Sequence, residues 1–264
     1  MASKSEISFI KSLHQKKYRE QHGLFIVEGT KMLNELLTSG FNLYAIYALE
    51  TYLPSLQISA KLPENIKIAA LTETELQKIS TQRTPNKVLA VAYLPPNAGE
   101  ALFGLPESPE KPGGMWLALD TIQDPGNMGT IIRIADWFGM GGVLASEDSV
   151  EFFNPKVVQA SMGSLFRVKL YQGDLASALE GIKTPVYGAL LNGNNLYEER
   201  FGGEGVLLLG NESKGISPGL KKYITHPVTI PRFGGAESLN VATAAAVICS
   251  EIRRRPDGPA ASRR

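Results

Sequence analysis

Hydrophobic residues follow two different periods in the first third of the chain, and their alternation predicts an α/β domain over residues 1–95. Short apolar runs of the kind found in strands occur at 25–29, 43–49, 66–71 and 88–94. Helical spacing of apolar residues occurs between them, at 5–22, 30–40 and 72–80. Thr72 and Glu75, three residues apart, predict a capping box at the start of the third helix. Pro54 predicts a break in the helical turn that follows the second strand.

A second alternation of strands and helices predicts a larger domain over residues 115–255. Strands are predicted at 115–120, 141–146, 165–171, 186–191, 205–209 and 228–231. Helices are predicted at 131–140, at the end of 147–163 from Asn154-Pro155, at 174–182, at 218–224 and from the Ala-rich stretch that ends near 255. Several of these strands are apolar throughout, which favours a mainly parallel sheet with helices on both faces.

The remaining segments have the composition of connectors. Residues 96–114 are rich in Pro and Gly and are interpreted as a linker. Residues 256–264 are interpreted as a basic disordered tail. The fold class is therefore α/β, with a smaller N-terminal domain and a larger parallel-sheet domain.

Charge changes this picture because it is unevenly distributed. Lys and Arg outnumber Asp and Glu by 11 to 8 in residues 1–95 and by five to one in 253–264, whereas they are outnumbered by 17 to 11 in 96–252. Basic ends around an acidic body are compatible with a polyanionic partner. The single cysteine, Cys249, excludes an internal disulfide, and three scattered histidines give no metal-ligand spacing. The absence of a signal sequence and of a long apolar run predicts a cytoplasmic protein without a membrane span.

Three polar, Gly-containing loops each follow a predicted strand of the second domain. They read DPGNMG at 124–129, GNESKG at 210–215 and RFGGAES at 232–238. Ligands of open α/β sheets bind beyond the carboxyl ends of the strands, so the three loops are predicted to form one site. None contains a phosphate-cradle motif, which disfavours a phosphorylated cofactor.

The last loop leads into a helix whose first turns have almost no side-chain bulk. Two interpretations of this stretch remain open from the residues alone: a tightly packed core helix capped by Ser238, or a ligand pocket lined by Ser238 and Asn240. Asn127 is ambiguous in the same way, because it either caps the helix after Pro125-Gly126 or shapes a site.

Three stretches of the second domain resemble, in order and spacing, the motifs of the SpoU (TrmH) branch of SPOUT RNA methyltransferases. They are LDTIQDPGNMGTIIRIADWFG, LLLGNESKGIS and IPRFGGAESLNVATAAA. The resemblance implies a deep trefoil knot in this domain, a homodimer, S-adenosylmethionine as cofactor and methylation of a ribose 2′-hydroxyl in RNA. The stretches at 16–37 and 80–92 resemble an RNA-binding module of the ribosomal-protein type, which implies that the first domain presents the substrate RNA.

The resemblance also assigns roles to individual residues. It places Arg133, Asn127, Glu212, Ser238 and Asn240 in the catalytic site. It places Gly210, Asn211, Ile230, Leu239 and Leu190 in the cofactor site, and it implies no metal. The role of Arg133 remains open between a deprotonated general base and a cation that stabilises a developing alkoxide or holds the 3′-phosphate.

The predicted function is S-adenosylmethionine-dependent ribose methylation of RNA, with ribosomal RNA favoured over transfer RNA. A non-catalytic RNA-binding assembly factor and a base methyltransferase of the SPOUT group are the alternatives. The basic residues Lys16, Lys17 and Arg19 are predicted to contact RNA phosphates.

Overall fold

The chain forms two compact units in the computed structural model, which describes residues 1–59, 62–63, 65–95 and 114–254. Among these residues, one unit contains 1–95 together with Phe152–Arg167, and the other contains 114–151 and 168–254. The predicted tail at 256–264 and the predicted linker, except for Gly114, lie outside the described residues.

The first unit is built on a four-stranded mixed sheet. Its helices are α1 (Lys4–Ser12), α2 (Lys16–His22), α3 (Thr30–Leu37), α4 (Leu53–Ser59) and α5 (Glu73–Ile79), and its strands are β1 (Leu24–Glu28), β2 (Leu43–Leu49), β3 (Lys67–Leu71) and β4 (Val88–Tyr93). The strand order is β1-β4-β2-β3, with β2 and β3 parallel and the other two pairs antiparallel. Thr72 caps α5 in a capping box with Glu75, as predicted.

The helical pattern over 5–22 is interrupted, which corrects the prediction of one helix. Leu13 is fully buried and ends α1, and Gln15 has an extended backbone before α2 begins. The extended backbone at Gln15 is incompatible with one continuous helix, because a residue inside a helix must have helical dihedral angles. Pro54 also differs from its prediction: it lies in the first turn of α4, where its missing N–H leaves no helical hydrogen bond unmade.

The second unit is built on a six-stranded, entirely parallel sheet. Its strands are β5 (Met115–Leu119), β6 (Gly142–Ser146), β7 (Leu170–Gly173), β8 (Val186–Asn195), β9 (Gly205–Leu209) and β10 (His226–Thr229), and its helices are α6 (Pro125–Trp137), α8 (Leu175–Leu179), α9 (Pro218–Lys221) and α10 (Val241–Arg254). The strand order is β10-β8-β9-β5-β6-β7. The neighbouring strands β5 and β9 are buried at every position, as expected for strands covered on both faces. The predicted α/β class and parallel sheet are confirmed, and the trefoil knot stays a prediction.

The segment Phe152–Arg167 packs with the first sheet, although the sequence assigned it to the second domain. It contains α7 (Pro155–Ser161) and a 3₁₀ turn (Ser164–Phe166). The Phe153 ring lies 4.7 Å from Phe25 between centroids, and the Phe166 ring lies 5.3 Å from Phe41. These aromatic contacts explain why residues 164–166 are not part of the strand predicted over 165–171.

Candidate active site

The loops after β9 and β10 enclose a cavity of about 520 Å³ in the second unit, together with residues of β8. This volume is typical of a small-molecule site, which spans roughly 300–1,000 Å³ in most proteins. The lining includes all five residues predicted for the cofactor and two of those predicted for catalysis. They are Leu190, Gly210, Asn211, Glu212, Ile230, Ser238 and Leu239.

A tight loop after β9 forms one wall of the cavity. The backbone N–H of Asn211 donates to the carbonyl of Gly215 at 3.1 Å, and the N–H of Gly215 donates back at 2.9 Å. A Cβ on Gly210 would lie 2.2 Å from the carbonyl carbon of Gly215, so only glycine allows this approach. The Asn211 side chain donates to the carbonyl of Thr121 at 2.9 Å and accepts from the Ser213 N–H at 3.0 Å. The Asn211 amide therefore stabilises the conformation of the loop through hydrogen bonds at both its nitrogen and its oxygen.

Asp120, at the end of β5, supports the same loop and was missed by the sequence interpretation. Its side chain is buried, with 4% of the residue exposed. One carboxylate oxygen accepts from the Ser217 N–H at 2.6 Å, and the other accepts from the Thr121 hydroxyl at 3.0 Å. The signal available in the sequence was an acidic residue directly after an apolar strand. A carboxylate buried at such a position requires hydrogen-bond donors around it.

Three of the predicted catalytic residues form a continuous chain of hydrogen bonds. The Asn240 amide nitrogen donates to Asn127 Oδ1 at 2.9 Å, and the Asn127 amide nitrogen donates to Glu212 Oε1 at 2.6 Å. Glu212 also lines the cavity. The chain fixes the orientation of a carboxylate and two amides at one edge of the cavity.

Helix capping separates the interpretations that the sequence left open. Asp124 caps α6, because its Oδ1 accepts from the Asn127 N–H at 2.7 Å, and the Asn127 side chain is left for the hydrogen-bond chain. Asn240 Oδ1 accepts from the N–H groups of Ala242 at 2.9 Å and Thr243 at 3.2 Å. Asn240 therefore caps α10, and the interpretation of Ser238 as its cap is wrong.

Arg133 is exposed on α6, six residues after Asn127. Within the described residues it makes no hydrogen bond to Asn127, Glu212 or Asn240. At i,i+4 spacing it shares the exposed face of α6 with Trp137, of which 83% is exposed. The structure thus joins Asn127, Glu212 and Asn240 by hydrogen bonds and places Ser238 with Glu212 in the lining of the cavity. Arg133 lies on an exposed face of α6.

The basic residues predicted to bind RNA phosphates belong to α2 in the first unit. Lys16 and Lys17 are exposed, whereas only 1% of Arg19 is exposed. Arg19 Nη1 donates to the carbonyl of Leu13 at 2.6 Å, and burial lowers the pKa of its guanidinium to about 10. The prediction that Arg19 contacts RNA is therefore wrong: its side chain holds the turn between α1 and α2.

No group of three or more His, Cys, Asp or Glu residues suited to a metal ion occurs in the part of the chain that the structure describes. Over the same residues, every helix is too short or too polar to cross a lipid bilayer.

A parallel α/β domain with a ligand-sized cavity at its carboxyl-end loops, bordered by paired amides and a carboxylate, defines the class of this protein. The chain belongs to the SpoU rRNA Methylase family, which matches residues 114–250. Residues 4–90 match the MRM3-like substrate binding domain.

Individual relatives agree with this assignment over nearly the whole chain. The 23S rRNA (guanosine(2553)-2′-O)-methyltransferase RlmP of Bacillus subtilis is 30% identical over 257 residues, which cover 96% of this chain and 97% of the relative. A putative RNA methyltransferase of the TrmH family from Porphyromonas gingivalis has a TM-score of 0.82 and 39% identity, covering 96% of this chain and 99% of that one. The AdoMet-bound rRNA methyltransferase from Sinorhizobium meliloti has a TM-score of 0.83 and 26% identity, covering 96% and 97%.

Proposed function

We propose that this protein transfers a methyl group from S-adenosylmethionine to a ribose 2′-hydroxyl of ribosomal RNA. The observation that carries the proposal is the hydrogen-bond chain from Asn240 through Asn127 to Glu212 at the edge of the cavity. Methyl transfer between two bound molecules depends on alignment, and side chains held by several hydrogen bonds can provide it.

The cavity fits S-adenosylmethionine in both size and chemistry. Leu190, Ile230 and Leu239 supply apolar surface suited to an adenine ring. Glu212 and Ser238 supply polar groups suited to the charged amino-acid part of the cofactor. When bound, the cofactor supplies a methyl group attached to a positively charged sulfur. We assign its binding to these residues together with Gly210 and Asn211, whose loop forms the wall of the cavity.

We assign to Arg133 the role of interacting with the ribose 2′-hydroxyl during the reaction. A guanidinium stays protonated at neutral pH, so it is a poor general base but a strong hydrogen-bond donor to an oxygen that becomes negative. We therefore favour a role in stabilising the developing alkoxide or in holding the adjacent 3′-phosphate. Asn127, six residues earlier on α6, is placed to hold this helix against the loop that carries Glu212.

We propose a homodimer in which the exposed face of α6 is covered. Trp137 is 83% exposed on this face, and tryptophan is enriched at protein–protein interfaces relative to the rest of the surface. The same contact would enclose Arg133, which lies one turn away. Sedimentation of the wild type and of Trp137→Lys tests this: we expect a dimer and a monomer, respectively, and a monomeric wild type would contradict it.

Ribosomal RNA is favoured over transfer RNA by the match of residues 114–250 to an rRNA methylase family and by a relative named for 23S rRNA that spans nearly the full chain. A second relative, the 23S rRNA (uridine(2479)-2′-O)-methyltransferase of Streptomyces viridochromogenes, is 29% identical and covers 74% of this chain and 70% of its own length. Guanosine and uridine both occur among these names, so the nucleotide is left open in the proposal. A cytoplasmic location accompanies the proposal as a prediction.

The direct test is transfer of tritium from labelled S-adenosylmethionine to ribosomal RNA, followed by nucleoside digestion and mass spectrometry. Wild-type protein should yield 2′-O-methylated nucleosides, and Arg133→Ala should lower the rate about 100-fold or more. Arg200→Ala, an exposed arginine of the same unit outside the site, is the matched control and should retain full activity.

Each alternative predicts a different result in the same experiment. A methyl group on a ring nitrogen would indicate a base methyltransferase. RNA binding without any transfer would indicate a non-catalytic assembly factor. Full activity of Arg133→Ala would remove the role assigned to Arg133 but not the reaction itself.

A further inference from the structure

A continuous row of aromatic side chains lies on the first unit, outside the site described above. The ring centroids of Tyr93 and Tyr44 are 5.7 Å apart, and those of Tyr44 and Phe9 are 6.3 Å apart. The row continues from Phe9 to His22 at 5.0 Å and from His22 to Tyr18 at 6.5 Å. We call these five residues the aromatic row.

The aromatic row is anchored on one side and exposed on the other. Phe9 and Tyr18 pack against the buried core of the first unit. Tyr44 is 38% exposed and Tyr93 is 45% exposed, and His22 is also exposed. If the rings of this row only packed against the core, the two tyrosines would be expected to be buried, because exposed apolar surface costs free energy in water.

Strand pairing fixes the two exposed tyrosines next to each other. Tyr44 lies near the start of β2 and Tyr93 at the end of β4. These strands are antiparallel and Leu43 pairs with Ala92, whereas Tyr44 lies at the register shift between Leu43 and Ala45. The Tyr93 N–H donates to the carbonyl of Asn42 at 2.9 Å, so both tyrosines belong to the same end of the sheet and lie on paired strands rather than in a loop.

Positive charge lies at the Tyr18 end of the aromatic row. The Lys17 ammonium is 5.9 Å from the centroid of the Tyr18 ring, and Lys16 is exposed one residue earlier. Lys and Arg outnumber Asp and Glu by 11 to 8 over residues 1–95. Exposed aromatic rings next to cations are the combination with which proteins bind single-stranded nucleic acid, since bases stack on the rings and the cations attract the phosphates.

We propose that the aromatic row binds unpaired nucleotides of the substrate RNA by stacking their bases on Tyr44 and Tyr93, with Lys17 beside the phosphate backbone. The inference rests on the proposed function, in that it takes the substrate to be RNA, and it adds a binding site and a mode of recognition. Stacking on a ring face tolerates any base, so this site recognises single-stranded character rather than a particular sequence.

The test measures binding of the full chain to a fluorescein-labelled, unpaired RNA 12-mer, to an abasic 12-mer with the same phosphates, and to a 12-base-pair RNA duplex. The double variant Tyr44→Ala/Tyr93→Ala should weaken binding of the unpaired 12-mer at least about 10-fold, because each stacked base depends on a ring. It should leave the abasic 12-mer and the duplex unchanged. Tyr44→Phe/Tyr93→Phe keeps both rings and should bind like the wild type.

Tyr197→Ala is the matched control, because Tyr197 is 47% exposed in the second unit and outside the row. It should bind all three RNAs like the wild type, and unchanged far-UV circular dichroism and thermal unfolding should show that each variant is folded. Equal affinity of the wild type and the double alanine variant for the unpaired 12-mer would overturn the proposal. Equal weakening on the abasic 12-mer would overturn it as well.

The outcome is separable from that of the proposed function. If the wild type transfers no methyl group to any RNA, the proposed function fails, while binding of the 12-mers still decides whether the aromatic row stacks bases. If the wild type methylates RNA but the double alanine variant keeps both its KM for RNA and its affinity for the unpaired 12-mer, only the inference about the aromatic row is wrong.

Discussion

The two sheets of this protein present their functional side chains in different ways. At the parallel sheet, Asn211 is held by backbone groups on both ends of its amide, and Asn240 is held by a backbone N–H on its oxygen and by the Asn127 side chain on its nitrogen, so neither amide can reorient without breaking these bonds. At the mixed sheet, Tyr44 and Tyr93 touch neighbouring rings and leave much of their surface in water.

The fixed amides and the partly exposed rings suit the different roles proposed for the two surfaces. Methyl transfer requires the reacting atoms to be aligned, and a misplacement of about 1 Å can cost about 100-fold in rate. Stacking of unpaired bases tolerates sequence and small displacements. Changes at the parallel sheet should therefore affect cofactor binding and turnover, whereas changes in the first unit should affect RNA affinity or stability.

The largest effect is expected from Gly210→Ala. The added Cβ would lie 2.2 Å from the backbone of Gly215, so the loop that lines the cavity must move. We expect affinity for S-adenosylmethionine, measured by calorimetry, to fall about 100-fold, in line with the ~1–3 kcal/mol typical of overpacking. Gly234→Ala is the control, since Gly234 lines the same cavity with nothing within 4 Å of an added Cβ. Equal affinities of the two variants would show that the loop does not need its observed shape.

A smaller effect is expected from Asn240→Asp. An aspartate keeps the oxygen that caps α10 but loses the amide that donates to Asn127, so stability should hold while turnover falls about 30-fold. Thermal unfolding and single-turnover methyl transfer measure the two properties separately. Asn154→Asp, a capping asparagine of α7 outside the site, should change neither. A loss of stability without a loss of turnover would show that Asn240 only caps α10 and has no role in the reaction.

The basic residues of α2 should differ in role, with Lys17 binding RNA and Arg19 stabilising the first unit. Lys17→Ala should weaken binding of unpaired RNA a few-fold and lower the magnitude of the slope of log affinity against log salt by about 0.7, because one phosphate contact is lost. Arg19→Met should instead lower the free energy of unfolding by about 2 kcal/mol, because the buried carbonyl of Leu13 loses its donor. Its salt slope should equal that of the wild type. A reduced salt slope in Arg19→Met would indicate that Arg19 contacts RNA despite its burial in the free protein.

The smallest effect is expected from Glu6→Gln. The Lys67 ammonium, 2.7 Å from the carboxylate, and hydrogen bonds from Ser3 lower the pKa of Glu6 to about 2. Unfolded chains bind this proton at higher pH, so the contribution to stability is present above about pH 4.5 and is lost as pH falls towards 2. Urea unfolding should show a difference below about 1 kcal/mol at pH 7 that vanishes near pH 2. Glu20→Gln, in an exposed pair with Lys16, is the control and should change the free energy of unfolding at pH 7 by less than Glu6→Gln does.

Local patterns in the sequence were sufficient wherever neighbouring residues set the structure. Apolar runs located the strands of both sheets apart from the start of β7, and the capping box of Thr72 and the Asn154-Pro155 start of α7 were correct, because these signals act within one turn of the chain. It also grouped the loops around Gly210 and Ile230 at one cavity, since parallel strands end at the same edge of a sheet.

The pairing of polar groups from distant parts of the chain became visible in the three-dimensional fold. Asn127 bonds Glu212, 85 positions away, and Asn240, 113 positions away, and no local pattern records either contact. The burial of Arg19 was hidden for the same reason: a basic residue among lysines has the pattern of a solvated helix, and only packing showed its side chain beneath the turn at Leu13. Local patterns fix backbone conformation, whereas the partner of a polar side chain is fixed by which surfaces pack together.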